Sequence, residues 1–189
     1  MSKSLRLSDL KPEYQQLWTS ATIRDSWQDR ANEVAKAVQA NQARYEVIQA
    51  KIGVPWWFVG GLHNMECGLD FSQCLHNGEP FNQVTTLEPS GRGPFDSWED
   101  AAIDALTLKD FHHTKDRSIA AWLWRAELFN GFGYRMKDCL TPYLWSGTQH
   151  YTSGKYVADG RYDPDAVSQQ VGVAAIWKTL GITEPDAAS

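Results

Sequence analysis

The chain has 189 residues, of which 42% are hydrophobic and 22% charged, with a net charge of −5. That length suits one domain, or one domain with a small lobe, and the apolar content is enough for a real core. No apolar stretch approaches the roughly 18 residues that span a bilayer, and the acidic balance argues against a nucleic-acid footprint and gives no electrostatic help in holding an acidic polymer.

In chain order, the first ten residues lack an apolar signal core, so synthesis and folding in the cytoplasm are expected. Ser8 to Pro12 open a short helix that runs to about Ser20. Arg24 to Lys51 reads as one long helix, with Trp27, Ala31, Val34, Val38, Tyr45 and Ile48 at three- and four-residue steps; Gly53 ends it. Val54 to about Cys67 is a second helix, with Pro55 near its first turn. It is apolar nearly all round, which places it at the centre of the fold. Residues 68 to 96 are rich in Gly, Pro, Asn and Ser, and predict a loop with a small hairpin around Gln83 to Leu87. Ser97 caps a helix to about Leu108. Asp116 to Phe129 forms another, ended by Asn130 and Gly131. Asp163-Pro164 opens the last helix, which closes at Gly181, and the tail from Thr183 frays. The sum is a mostly α, α+β chain in a single domain. Residues 1–50 form N-terminal helices and residues 54–181 a catalytic core, in which a helical body and a small β-hairpin lobe flank a cleft.

The cysteines, Cys67, Cys74 and Cys139, are odd in number and form no C-x-x-C, so reduced core thiols are expected. Nine tryptophans and seven tyrosines point to a large aromatic core or to a groove that stacks pyranose rings. The histidines, His63, His76, His112, His113 and His150, show no recognisable metal-ligand spacing, and no phosphate-cradling Gly loop is present; neither metal nor cofactor is expected.

Glu66 carries the most information. It closes a segment nearly free of charge, so desolvation is expected to raise its pKa and keep it protonated for general acid catalysis. The alternative is a helix-end Glu that reaches solvent or pairs with an Arg. Glu79 follows in a turn from which it can face Glu66, and two carboxylates flanking a glycosidic bond are the usual machinery of glycoside hydrolysis. A hydroxyl of Thr85 or Thr86 is a candidate to hold the attacking water. For Glu79 the alternative is an exposed turn residue, and for the threonines plain strand propensity. His63 shares a helix face with Glu66 and is a candidate to orient it or to meet the sugar, with packing near Glu66 as the alternative. Asn130 and Tyr134 lie in a block that ends a helix and whose two glycines allow close backbone approach; they are candidates to meet a sugar, with a simple helix C-cap and kinked connection as the alternative. Tyr143, Trp145, Gln149, His150 and Tyr151 form an aromatic and amide cluster suited to N-acetyl sugars, with core packing as the alternative.

The blocks Val54-Pro-Trp-Trp-Phe58, His63-Asn-Met-Glu66, Leu75-His-Asn-Gly78, Asn130-Gly-Phe-Gly-Tyr-Arg135, Pro142-Tyr-Leu-Trp-Ser146, His150-Tyr151 with Gly154-Lys-Tyr156, and Asp159-Gly160 with Tyr162-Asp163 resemble the phage endolysin and bacterial "lysozyme family" muramidases. The resemblance covers about Val54 to Lys178; the first 50 residues match nothing comparable. It implies a lysozyme-like fold and cleavage of the N-acetylmuramic acid to N-acetylglucosamine bond of peptidoglycan, with Glu66 as the catalytic acid. The implied partner is a peptidoglycan glycan strand, met by a monomer that acts on the wall after release from the cell. A lytic transglycosylase using the same acid, a non-catalytic wall-binding protein and a chitinase-like activity remain open.

Overall fold

The computed structural model describes residues 5–184. Of the tail expected to fray, residues 185–189 lie outside the described residues. The described residues are mostly helical, with one small antiparallel sheet of two strands among them. It divides into two compact units: Lys36–Lys115, and the chain up to Ala35 together with that from Asp116 onward.

The Lys36–Lys115 unit is built around a buried helix. Two helices, α2 (Gln28–Ala40) and α3 (Gln42–Ile52), stand where one long helix was expected. The break falls at Asn41, whose side-chain amide donates to the Ala37 carbonyl at 2.9 Å and so competes with the backbone ladder. Gly53 then closes α3 in the left-handed conformation, at φ 71. Helix α4 (Trp56–Cys67) buries Trp57 through His63, Met65 and Cys67, which agrees with the central place its apolar sequence predicts. Gly60 is required there. A Cβ at this position would lie 2.4 Å from a Val38 methyl carbon and 3.1 Å from the Tyr45 ring.

No strand forms at 83–87, contrary to expectation. The chain doubles back over 81–95 on irregular hydrogen bonds instead: Phe95 N–H donates to the Phe81 carbonyl at 2.9 Å and Thr85 N–H to that of Arg92 at 2.9 Å. Pro80, Pro89 and Pro94 remove the donors that a regular ladder would need. Helix α5 (Trp98–Leu108) follows, capped as expected by the Ser97 side chain, which accepts from Asp100 N–H.

The other unit starts with α1 (Leu7–Ser20) and includes α6 (Ile119–Asn130), capped by Ser118 and ended at Gly131. A short helix, α7 (Pro142–Trp145), follows a tight turn. The sheet lies here, outside the lobe where it was expected: β1 (Lys155–Ala158) pairs with β2 (Arg161–Asp163), Tyr156 opposite Tyr162. Helix α8 (Val173–Thr179) begins well after Asp163-Pro164. The Asp163 carboxylate accepts instead from the Asp165 and Ala166 N–H groups, which makes a turn rather than a helix cap. Trp122, Trp145 and Trp177 fill the core of this unit.

Candidate functional site

Glu66 stands at the C-terminal end of α4 and is exposed. The apolar run before it is buried, whereas Glu66 itself is exposed, which differs from the enclosed setting expected from the sequence. The helix continues one residue to Cys67 and is closed by Gly68 at φ 57, which turns the chain into the 69–96 loop.

That loop is fastened to the end of α4 through its cysteines. Burial, with the Glu66 charge adding to it, pushes the Cys67 thiol up to about 12, so it keeps its proton. It donates that proton to the Cys74 carbonyl at 3.4 Å. The Cys74 N–H in turn donates to the Glu79 carbonyl at 2.8 Å. The residue after Glu66 is thus connected to the backbone of Glu79 through one intervening residue. Both thiols are free and buried, as expected.

Glu79 is fixed as an anion. Its carboxylate accepts from Thr86 Oγ1 at 2.6 Å, from Thr86 N–H at 3.0 Å and from Leu87 N–H at 2.9 Å. These bonds, the Thr86 hydroxyl first, hold its pKa below the usual carboxylate value. The two threonines therefore sit beside Glu79, but their hydroxyl protons are engaged within the loop. Thr86 donates to Glu79, while Thr85, only 3% exposed, donates to the Pro89 carbonyl at 2.7 Å. Thr85 Oγ1 also accepts from Arg92 N–H at 3.0 Å, so this buried hydroxyl is engaged within the loop rather than presented to a cleft.

His63 is corrected from a sugar-facing residue to a core residue. It is fully buried, with Nδ1 3.0 Å from the Tyr45 hydroxyl and its ring against Phe71 and Trp98. Burial lowers its pKa to about 4, so it is a neutral packing group at ordinary pH. A second anchor of the loop was not foreseen. Asp104 on α5 accepts from Arg92 and pairs with His76 Nε2 at 2.7 Å. No local spacing links residues 76, 92 and 104, so only the folded chain reveals this cluster.

The remaining candidates lie in the other unit. Asn130 is exposed at the end of α6. Trp145 and Tyr151 are each 1% exposed and Tyr134 is 9% exposed, so the first two are core residues rather than sugar platforms. The Gln149 amide bridges the end of α1, accepting from Thr22 N–H at 2.7 Å and donating to the Ser20 carbonyl at 2.6 Å. His150 Nε2 lies 3.0 Å from the Leu17 carbonyl. A groove of about 360 Å³ beside them is lined by Lys137, Asp138, His150 and Tyr162, among others. A neighbouring pocket of about 450 Å³ reaches Glu13, Glu127 and Arg135. Glu127 is 2% exposed and accepts from Tyr14 and, at 3.0 Å, from Arg135 Nη2. Burial raises the Glu127 pKa against the pull of the Arg135 guanidinium.

Among the described residues, one group brings together side chains able to hold a metal ion: Asp110, His112 and His113, with a ligand atom from each within 4.8 Å of the others. The sequence spacing had suggested none. No helix of the described chain is long and apolar enough to cross a membrane. Comparison of the chain with protein-family models, with curated proteins and with solved structures finds no match.

Proposed function

We propose that this chain is a peptidoglycan-degrading muramidase that hydrolyses the N-acetylmuramic acid to N-acetylglucosamine bond, with Glu66 as the proton donor. One observation carries the reading: Glu66, an exposed residue, stands in the last turn of a buried apolar helix, and the same helix end is fastened through Cys67 and Cys74 to a loop that holds a second carboxylate ionised. Two carboxylates in different environments are what acid-assisted cleavage of a glycosidic bond requires. The run of sequence blocks similar to lysozyme-family muramidases supports the choice of substrate. Glu66 protonates the leaving glycosidic oxygen. A glycan strand laid over the helix end desolvates Glu66 and so favours its protonated form. Glu79 stabilises the developing positive charge on the sugar or directs water to it. The enzyme acts as a monomer on the wall after release from the cell.

A lytic transglycosylase is the second reading, and the engagement of Glu79 favours it. A carboxylate that already accepts from the Thr86 hydroxyl and from the Thr86 and Leu87 N–H groups is a weakened base and nucleophile. Glu66 would then act as acid and afterwards as base, and the muramic acid's own hydroxyl would replace water. Mass spectrometry of digested, purified peptidoglycan separates the two. Reducing muramic acid ends carry one added water and anhydro ends carry none. Glu66→Gln is expected to abolish either product while leaving the melting temperature almost unchanged, since general acid catalysis supplies about 10²–10⁴-fold. Near wild-type turnover in that variant, or free peptides with intact glycan, would overturn the glycosidase reading.

A further inference from the structure

We propose that Asp110, His112 and His113 form a binding site for a divalent transition-metal ion, for which zinc is the best match. The site follows from how α5 ends. Asp110 takes the left-handed conformation, at φ 58, and turns the chain sharply after the helix. Phe111 plunges inward, 2% exposed, with its ring edge-to-face against Phe58 at 5.7 Å. The residues on either side of this anchor are thereby fixed on the outer surface of the turn. His113 N–H donates to the Asp110 carbonyl at 3.4 Å, closing a tight helical turn in which residues three apart eclipse each other. The imidazoles of His112 and His113 lie with centroids 3.8 Å apart at 41°.

The donors are arranged for a ligand and have few bonds of their own. His112 Nδ1 is shielded from water and has no hydrogen-bond partner; the Asp110 carboxylate approaches it only to 3.9 Å. A shielded ring nitrogen without a partner is costly, and a bound cation removes that cost. Two imidazole nitrogens and a carboxylate oxygen suit zinc and its first-row neighbours, whereas calcium and magnesium prefer oxygen alone. Zinc bonds of about 2.0–2.2 Å place tetrahedral ligand atoms roughly 3.4 Å apart. The Asp110 side chain is 75% exposed and His113 is also exposed, so rotation of these two side chains closes the difference from 4.8 Å. The C-terminal carbonyls of α5 add a favourable negative potential for a cation. Three protein ligands leave one coordination position for water. The proposal does not depend on the glycosidase reading.

Calorimetric titration of the metal-free full chain with zinc chloride, with the cysteines kept reduced, tests it. One zinc per chain is expected, with affinity falling about tenfold or more in His113→Gln and binding lost in the His112→Gln/His113→Gln pair. His150→Gln should bind as the parent does. Asp110→Asn keeps a residue that tolerates the left-handed conformation, so weaker zinc binding by this variant with an unchanged melting curve would separate ligation from folding. Nitrogen-15 spectra should show imidazole shifts at His112 and His113 on zinc addition and none at His63 or His76. Absence of zinc uptake by the parent chain, or uptake unchanged in the double variant, would overturn the proposal.

Discussion

Glu79 shows how a single carboxylate can be both structural and chemical. Its three hydrogen bonds to Thr86 and Leu87 hold the 79–87 loop closed. Glu79→Gln replaces one acceptor oxygen with a donor that faces those N–H groups, so amide exchange at Thr86 and Leu87 should accelerate along with the loss of lysis. Unchanged exchange would show that the carboxylate does not organise the loop. His63 gives a pH test at the same scale. Its pKa is near 6.5 when unfolded and about 4 in the folded chain. The unfolded chain therefore binds more protons between those values, and folding stability rises with pH through that window. The contribution is complete above about pH 6.5 and lost as pH falls through about 4, on the order of 3 kcal/mol in all. Melting curves of the parent and His63→Gln between these limits should differ in slope. Parallel curves would mean that His63 is protonated without penalty in the folded chain.

Elements whose signals are local were the legible ones. The Ser97 cap, the Gly53 and Gly131 stops and the apolar α4 all act over a few residues, and all appear where the sequence puts them. The missed features depend on competition at a distance. Asn41 breaks an otherwise continuous helical pattern by capturing a carbonyl. Three prolines deny a ladder to β-prone residues 83–87, and Tyr156 finds Tyr162 across a turn, in a stretch to which the sequence assigned no element. Helix α7 has only four residues, too few to signal itself, yet it carries a core tryptophan. Trp145→Ala should cost about 3–5 kcal/mol of stability, as expected for a buried aromatic. Thermal melting with a sugar titration checks this. A small shift in melting temperature with a large loss of sugar affinity would return the ring to the binding surface.

For the whole molecule, charge and segregation into units set the expectations. The net charge is −5, so an acidic wall polymer is repelled rather than attracted at long range. Lysis of purified walls should hold steady or quicken as salt rises from about 10 to 150 mM and the screening length shrinks to about 8 Å. A steep fall would reveal a local basic surface that the total conceals. The candidate site was legible as residue types and not as environments. Glu66 and Glu79 lie in one unit, but their exposure and hydrogen bonding invert the simple reading of a buried acid beside a free partner. Aromatic richness was equally ambiguous, because a tryptophan that packs a core and one that stacks a sugar have the same sequence signature. Here Trp57, Trp98, Trp122, Trp145 and Trp177 are core.

The contact at Gly60 extends beyond this chain. With a Val38 methyl carbon 2.4 Å from where a Cβ would sit, the two positions cannot vary independently. Chains that share this helix crossing should obey a pairing rule: a side chain gained at position 60 must be matched by one trimmed at position 38. Gly60→Ala should therefore be poorly tolerated alone and rescued by Val38→Ala, a compensation visible in paired melting curves.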